Sequence, residues 1–224
     1  MTALLELDDL AFAYPGSPAL RGVSLEVEPG ETVALTGPTG SGKSTLLLLA
    51  AALLTPASGS VRFAGQNVAD LDGSGRARLR RTEIGIVLQF GQLVPDLTVR
   101  DNVALPLLLD GQTPRQAHET AAGWIDRVGL SDVAAHRAGR LSGGQGQRAA
   151  IARALVSGPR LVLADEPTAS LDASGARDML ALLFGAADEG VAVILVTHDN
   201  TVSARADREV LLRDGVVEHE ISLR

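Results

Sequence analysis

The sequence predicts an α/β fold: a parallel sheet with helices on its faces, an antiparallel β portion near the N-terminus, and a helical insertion. Three observations predict it. Short, continuously apolar runs at residues 84–88, 161–164 and 191–197 are separated by helical stretches, as expected of strands buried on both faces of a parallel sheet. Residues 4–28 alternate and break at turns, which is the pattern of antiparallel strands. Residues 95–157, by contrast, read as helix alone and lie between two sheet strands.

Taken in order, LLELDDLAFAY (residues 4–14) is a strand, PGSP a turn, and GVSLEVEPG a second strand closed by a turn at Pro29-Gly30. The apolar strand Thr32–Thr36 follows and feeds a glycine-rich segment, after which a helix runs to about residue 54. Residues 55–59 form a loop and 60–68 a short hairpin. GSGRARLRRTE, with Arg76, Arg78, Arg80 and Arg81, reads as the solvated face of a short helix. The run 84–88 is a buried strand ending at Gln89. Helices are expected at Val99–Leu109, interrupted by Pro106, and at 115–128, where Thr113-Pro114 supplies an N-cap and a first-turn proline. An alanine-rich helix at 143–156, a strand at 161–164, a helix at 173–187, a strand at 191–197 and a final strand at Arg208–Arg213 complete the chain. Neither repeats nor a linker appear, so residues 1–224 read as one domain with a helical subdomain at roughly 90–157.

Bulk properties narrow the function. With 46% apolar and 21% charged residues over 224 positions, the chain is ordinary for a globular protein and long enough to bury a substantial core. Its net charge of −7 argues against nucleic-acid binding through the whole surface. Without cysteine it has neither disulfides nor thiol chemistry. The N-terminus, MTALLELDDLAF, lacks the basic start of a secretory signal, and the longest apolar run, residues 46–54, is far shorter than a bilayer span. The expectation is a cytoplasmic protein that reaches a membrane only through a partner.

The glycine-rich segment is Gly37-Pro38-Thr39-Gly40-Ser41-Gly42-Lys43-Ser44-Thr45. It fits G-x-x-x-x-G-K-[ST] and stands between a strand and a helix, the context in which that pattern is a phosphate-binding loop. Glycines let successive N–H groups turn inward around phosphate oxygens, and the helix N-terminus adds its positive dipole end. Lys43 can reach the β- and γ-phosphates, and the Ser44 hydroxyl is placed to ligate Mg²⁺. Such a loop also needs a carboxylate for the metal and a base for water. Residues 161–166, LVLADE, deliver two carboxylates at the C-terminal end of an apolar strand, where ligands bind in open α/β sheets. Asp165 is the expected Mg²⁺ ligand, through its water shell, and Glu166 the expected general base.

A second glycine-rich turn, Leu141-Ser142-Gly143-Gly144-Gln145, opens a helix but lacks lysine. It can offer N–H groups and a dipole to phosphate, but no fixed cation. LSGGQ is the signature of the ATP-binding cassette (ABC) ATPases, and nearly the whole chain resembles that family in the family's order. The resemblance implies a P-loop NTPase (RecA-like) core and assigns further residues. Tyr14 corresponds to the aromatic that stacks on adenine, and Gln89 to the glutamine that senses Mg²⁺ and the attacking water. Ser170-Leu171-Asp172 matches the D-loop, and His198 the switch histidine that contacts γ-phosphate. His118, His136 and His219 match nothing. At Gly146 the chain departs from the glutamine or glutamate common in the family, which puts the detailed fit of the signature helix in question.

The resemblance also implies partners. Two cassettes face head to tail, each ATP lying between one phosphate loop and the other's signature, so a second, identical subunit and a membrane permease are expected. The stretch IGIVLQFGQLVPDLTVRDNVALPLLLDG is similar to the lipoprotein-releasing and macrolide-export group. Methionine-type importers share its NV-x-LPL portion but carry a C-terminal regulatory domain, for which this chain has no room, so export is expected. A cell-division-type complex, a non-transport ABC ATPase and a P-loop kinase of small molecules are the alternatives. Gly91 and Pro95 suggest a hinge after Gln89, and Leu93, Val94 and Leu97 are candidates to line the groove that receives the permease.

Overall fold

The computed structural model describes residues 3–89 and 92–223. The chain divides into two compact units, Met1–Ala77 with Ala186–Arg224, and Arg78–Gly185. In the first, β1 (Leu5–Tyr14) and β2 (Ser17–Val27) form the expected hairpin. β4 (Ser58–Phe63) pairs with the other edge of β1, and β5 (Gln66–Asn67) completes an antiparallel sheet in the order β2-β1-β4-β5. The register sets Leu5 opposite Val27 and Phe63, and Leu7 opposite Leu25 and Val61, so that these residues form one buried apolar face.

The second sheet of this unit is built on β3 (Thr32–Thr36), which lies parallel to β8 (Ala192–Val196) on one side and to β9 (Arg208–Arg213) on the other. Every residue of β8 is buried, which explains its lack of alternation. Asp207 clasps the start of β3: its carboxylate accepts from the Thr32 amide and hydroxyl, and its own N–H donates to Thr32 Oγ1 at 2.8 Å. From β3 the chain enters α1 (Lys43–Ala50). β9 is not the last strand. The chain turns at Asp214 and Gly215, both at positive φ (50° and 79°), and returns antiparallel as β10 (Val216–Ser222). The Asp-Gly pair is a two-residue hairpin signal, but β10 is almost wholly exposed, so its residues lack the apolar alternation that marks a half-buried strand.

In the second unit β6 (Ile84–Val87) and β7 (Leu161–Asp165) pair in parallel, Ile84 beside Leu161 and Val87 beside Ala164. They are neighbours although the helical stretch separates them in sequence. α2 (Gly73–Thr82) precedes β6 and, as its composition suggests, buries none of its residues. Between the strands come α3 (Val99–Leu109), α4 (Pro114–Arg127) and α5 (Gly143–Leu155), and α6 (Ala173–Asp188) follows β7. α4 opens as its sequence implies: Thr113 and Gln116 form a capping box with Pro114 in the first turn. Pro106, expected to interrupt α3, lies inside a continuous helix. It withholds the one N–H that would bond the Asn102 carbonyl, and packing of Val99, Val103, Ala104 and Leu107 offsets the loss.

Asn102 is fully buried and spends its amide on the chain entering α3. Its Oδ1 accepts from the Val94 amide at 2.8 Å, and its Nδ2 donates to the carbonyls of Val94 and Thr98 at 3.0 Å each. Pro95 and Leu97 carbonyls accept from Gly139 and Ala138. The expected hinge at Gly91 lies outside the described residues. The described part of that segment, from Val94 on, is cross-braced.

Two outcomes follow from this packing. Asn102→Ala leaves the Val94 N–H and its neighbouring carbonyls without their buried partner and should lower stability by roughly 1–3 kcal/mol, read as a lower urea midpoint. Gly146, in the first turn of α5, has helical φ and nothing within 4 Å of where a Cβ would stand. Gly146→Ala should therefore raise stability by roughly 0.4–1 kcal/mol, read as a higher urea midpoint; a loss of stability would contradict the open space seen there.

Candidate functional site

Within the first unit the phosphate loop leaves the C-terminal end of β3. Gly37, Gly40 and Gly42 take positive φ (132°, 82° and 105°). At two of these the requirement is steric as well as conformational. A Cβ on Gly37 would stand 2.0 Å from the Leu212 carbonyl oxygen, and one on Gly42 would stand 2.6 Å from that of Ala19. Lys43, at 6% exposure, folds back beneath the loop and donates to the carbonyls of Gly37 and Pro38 at 2.8 Å each. It thereby shapes the cradle and holds a positive charge under it. Pro38, Thr39, Gly40 and Ser44 face solvent, whereas Ser41 and Thr45 are buried. α1 has neither a side-chain cap nor an acidic residue in its first turn, so its N-terminal amides keep their affinity for an anion.

His198 reaches the same end of the same sheet. Leu35 of β3 lies beside Val196 of β8, so Gly37 and His198, each two residues further on, emerge from adjacent parallel strands. Asp199 steadies the turn: its amide donates to Thr197 Oγ1 at 3.0 Å, and its Oδ1 accepts from the Thr201 hydroxyl and amide at 2.7 Å each. Those bonds from Thr201 hold the Asp199 carboxyl below the usual carboxylate range. Asp199 caps α7 (Asn200–Ser203) and was open to notice in the sequence, since Asp-x-Thr is an Asx-turn pattern. Tyr14 closes β1, 43% exposed and edge-on to Phe12 with ring centroids 5.0 Å apart. It belongs to the hairpin whose second strand packs against Gly42 through Ala19 and Leu20.

The second unit repeats the arrangement. Val87 of β6 lies beside Ala164 of β7, so Gln89 and the pair Asp165 and Glu166 leave adjacent parallel strands at their C-terminal ends. Asp165 is 8% exposed and Gln89 is exposed. Glu166 carries φ of 48°, a left-handed conformation for a residue with a side chain. In the signature turn, Ser142 Oγ accepts from the Gln145 amide at 3.3 Å and Gln145 Oε1 accepts from the Ser142 amide at 3.0 Å. Gln145 thus acts first as the reciprocal member of a capping box. Gly143 and Gly144 lie against Ser170 and Leu171, and a Cβ on Gly144 would stand 3.2 Å from the Ser170 carbonyl oxygen. A side chain at 144 would thus press on Ser170, whereas one at 143 would make ordinary contact. Leu93 and Leu97 are half-buried and Val94 is 40% exposed. Gln147 is 2% exposed, and its Nε2 finds no partner among the described residues.

Among the described residues no group of three or more His, Cys, Asp and Glu side chains converges as a metal cage. A hydroxyl such as Ser44 and a carboxylate such as Asp165 are hard oxygen donors, suited to Mg²⁺ that arrives with phosphate oxygens and water rather than to a metal held by protein alone.

Known proteins bear the same pattern. The ABC transporter family profile matches residues 20–169. The chain is 46% identical over 217 residues to the pyoverdine export ATP-binding/permease protein PvdT of Pseudomonas entomophila, covering 95% of this chain and 33% of that protein. The chain thus spans about a third of the length of that relative. It is 46% identical over 199 residues to the lipoprotein-releasing system ATP-binding protein LolD of Hahella chejuensis, covering 88% of this chain and 86% of that one. The structure superposes on the ATP-binding cassette MJ0796, in a dimeric post-hydrolysis state bound to ADP and Pi, with a TM-score of 0.93, 36% identity, and coverage of 98% and 99% of the two chains. The match to cassette structures establishes the P-loop NTPase fold. With its phosphate loop, signature turn and paired strand-end carboxylates, this chain belongs to the ABC transporter family and is an ATP-binding cassette.

Proposed function

We propose that the chain is the ATP-hydrolysing nucleotide-binding part of a membrane transporter of the export or lipoprotein-release type, powering a permease. The observation that carries this reading is the phosphate loop, whose glycines and buried Lys43 form a cradle open to solvent at the N-terminus of α1. The likeness to LolD over most of both chains supports the export side of the family. No helix of the described residues is long and apolar enough to cross a membrane, so coupling to transport falls to a permease segment.

In this reading the N–H groups of the loop 37–45, Pro38 apart, and Lys43 bind the β- and γ-phosphates, and Tyr14 stacks on the adenine. Ser44, Asp165 and Gln89 are the residues that would hold Mg²⁺, which when bound neutralises phosphate charge. Glu166 accepts the proton of the attacking water. His198, on its braced turn, donates to the γ-phosphate. The signature residues Ser142, Gly143, Gly144 and Gln145 serve the nucleotide of a second copy: their turn has N–H donors and a helix dipole but no lysine, so it completes a phosphate site without being one. Leu93, Val94 and Leu97 line the face that meets the permease, and the assembly works at the inner surface of the cell membrane.

Two experiments test these roles. Lys43→Ala should weaken ATP binding roughly tenfold to a hundredfold, the loss of a charge-assisted bond. Glu166→Gln should keep that affinity and lower kcat by roughly 10²–10⁴-fold. Calorimetric titration with steady-state kinetics reads both, and normal turnover by Glu166→Gln removes Glu166 from the role of base. For assembly, Glu166→Gln with ATP and Mg²⁺ should elute as a dimer and the nucleotide-free protein as a monomer in size-exclusion chromatography with light scattering. A monomer at saturating ATP overturns the shared site.

A further inference from the structure

The exit of β6 is tied to the signature helix at two points. The first is a backbone approach: a Cβ on Gly85 would stand 2.4 Å from the carbonyl oxygen of Ala154 and 3.3 Å from its Cβ. Only glycine lets β6 and α5 lie that close. The second is the neighbouring residue of α5. Arg153 Nη1 donates to the carbonyl of Gln92 at 3.1 Å. Burial draws this guanidinium away from water and lowers its pKa, so its bond to a carbonyl is stronger than it would be on the surface. Gln92 itself stands at φ of 42°, a left-handed conformation that a residue with a side chain keeps only when its surroundings hold it.

Gln89 lies between these two ties, four residues beyond Gly85 and three before Gln92. Three residues of chain span at most roughly 10 Å, so the anchored Gln92 carbonyl limits where Gln89 can stand. Beyond Gln92 the chain is held by Asn102 at Val94, at the approach to α3. α5, which supplies both ties, begins at the signature turn.

We propose that Arg153 is a positioning residue for Gln89: by holding the Gln92 carbonyl it fixes the exit of β6 to α5, so that Gln89 takes its place from the helix headed by the signature. The inference rests on the reading of Gln89 as part of the nucleotide site. It implies that a displacement of α5, when its signature turn engages the second copy's nucleotide, is carried to Gln89 of the same chain. Nothing in the sequence pattern marks Arg153, since an arginine in the last turn of a helix is ordinary dipole pairing.

A double-mutant cycle on the isolated protein tests it, with kcat and KM for ATP measured for Gln89→Ala, Arg153→Gln and the pair. Arg153→Gln should lower kcat roughly ten- to a hundredfold, the cost of a small misplacement of a reacting group, and leave KM within about threefold. The pair should be no slower than Gln89→Ala alone, because the two act as one. Arg153→Lys, which keeps the charge and can reach the carbonyl, should recover much of the rate. In a Glu166→Gln background Arg153→Gln should still dimerise with ATP. Wild-type kcat in Arg153→Gln, losses that multiply in the pair, or failure to dimerise overturns the inference. Should Arg153→Gln not fold, Arg153→Lys enters the same cycle, and a loss that multiplies with Gln89→Ala overturns it equally. Wild-type turnover in Gln89→Ala is a different result: it removes Gln89 from the nucleotide site, the reading on which the inference rests, and a slowed Arg153→Gln beside it overturns the inference itself, because the loss then cannot pass through Gln89.

Discussion

The backbone of residues 37–42 passes so close to Leu212 and Ala19 that a β-carbon at either end would overlap a carbonyl oxygen. That crowding forces glycine at 37 and 42, and glycine in turn permits the positive φ values that curl the loop. The curl brings the Gly37 and Pro38 carbonyls under the loop, where Lys43 bonds them from below. An ammonium group buried by that geometry is satisfied by carbonyls yet still presents positive charge to the concave side. The curled loop and the buried cation both go back to one close approach of backbone to backbone.

Parallel pairing gathers the remaining chemistry. Adjacent parallel strands end on the same side, so residues just beyond them are neighbours however distant in sequence. In the first unit this sets His198 by the loop at Gly37; in the second it sets Gln89 by Asp165 and Glu166. The strands themselves are almost wholly apolar and buried, which makes them rigid, and the chemistry sits on the short segments after them. The left-handed Glu166 marks where the chain leaves its strand under constraint. At the signature the same economy appears in another form: Ser142 and Gln145 close the helix start, and Gly143 and Gly144 admit the D-loop beside it.

From Gln92 into α3 the chain is held by side chains rather than by a ladder. Asn102, fully buried, supplies side-chain partners that a regular ladder would otherwise provide. Arg153 supplies one more at Gln92. A glycine and a proline in a sequence suggest bending, but side chains from distant helices decide whether the backbone is held. Gly91 lies outside the described residues, while Pro95 sits in a part of the stretch that hydrogen bonds from Val94 onward brace.

What the sequence by itself determined are features whose causes are local. The phosphate loop is legible because its glycines answer to φ, and its lysine and serine stand at set distances along the chain. The strands Thr32–Thr36, Leu161–Asp165 and Ala192–Val196 are legible because burial on both faces removes alternation. The start of α4 is legible in Thr113-Pro114 because capping acts over three residues. Tertiary structure alone decided the rest. β10 forms on the edge of β9 with few buried residues, so its pairing partner rather than its own pattern makes it a strand. Pro106 stays helical because packed neighbours outweigh one missing hydrogen bond. The bonds of Asn102 to Val94 and of Arg153 to Gln92 join residues 8 and 61 positions apart. Polar partners at such separations leave no periodic trace, because their choice depends on which helices the fold brings together and not on spacing along the chain.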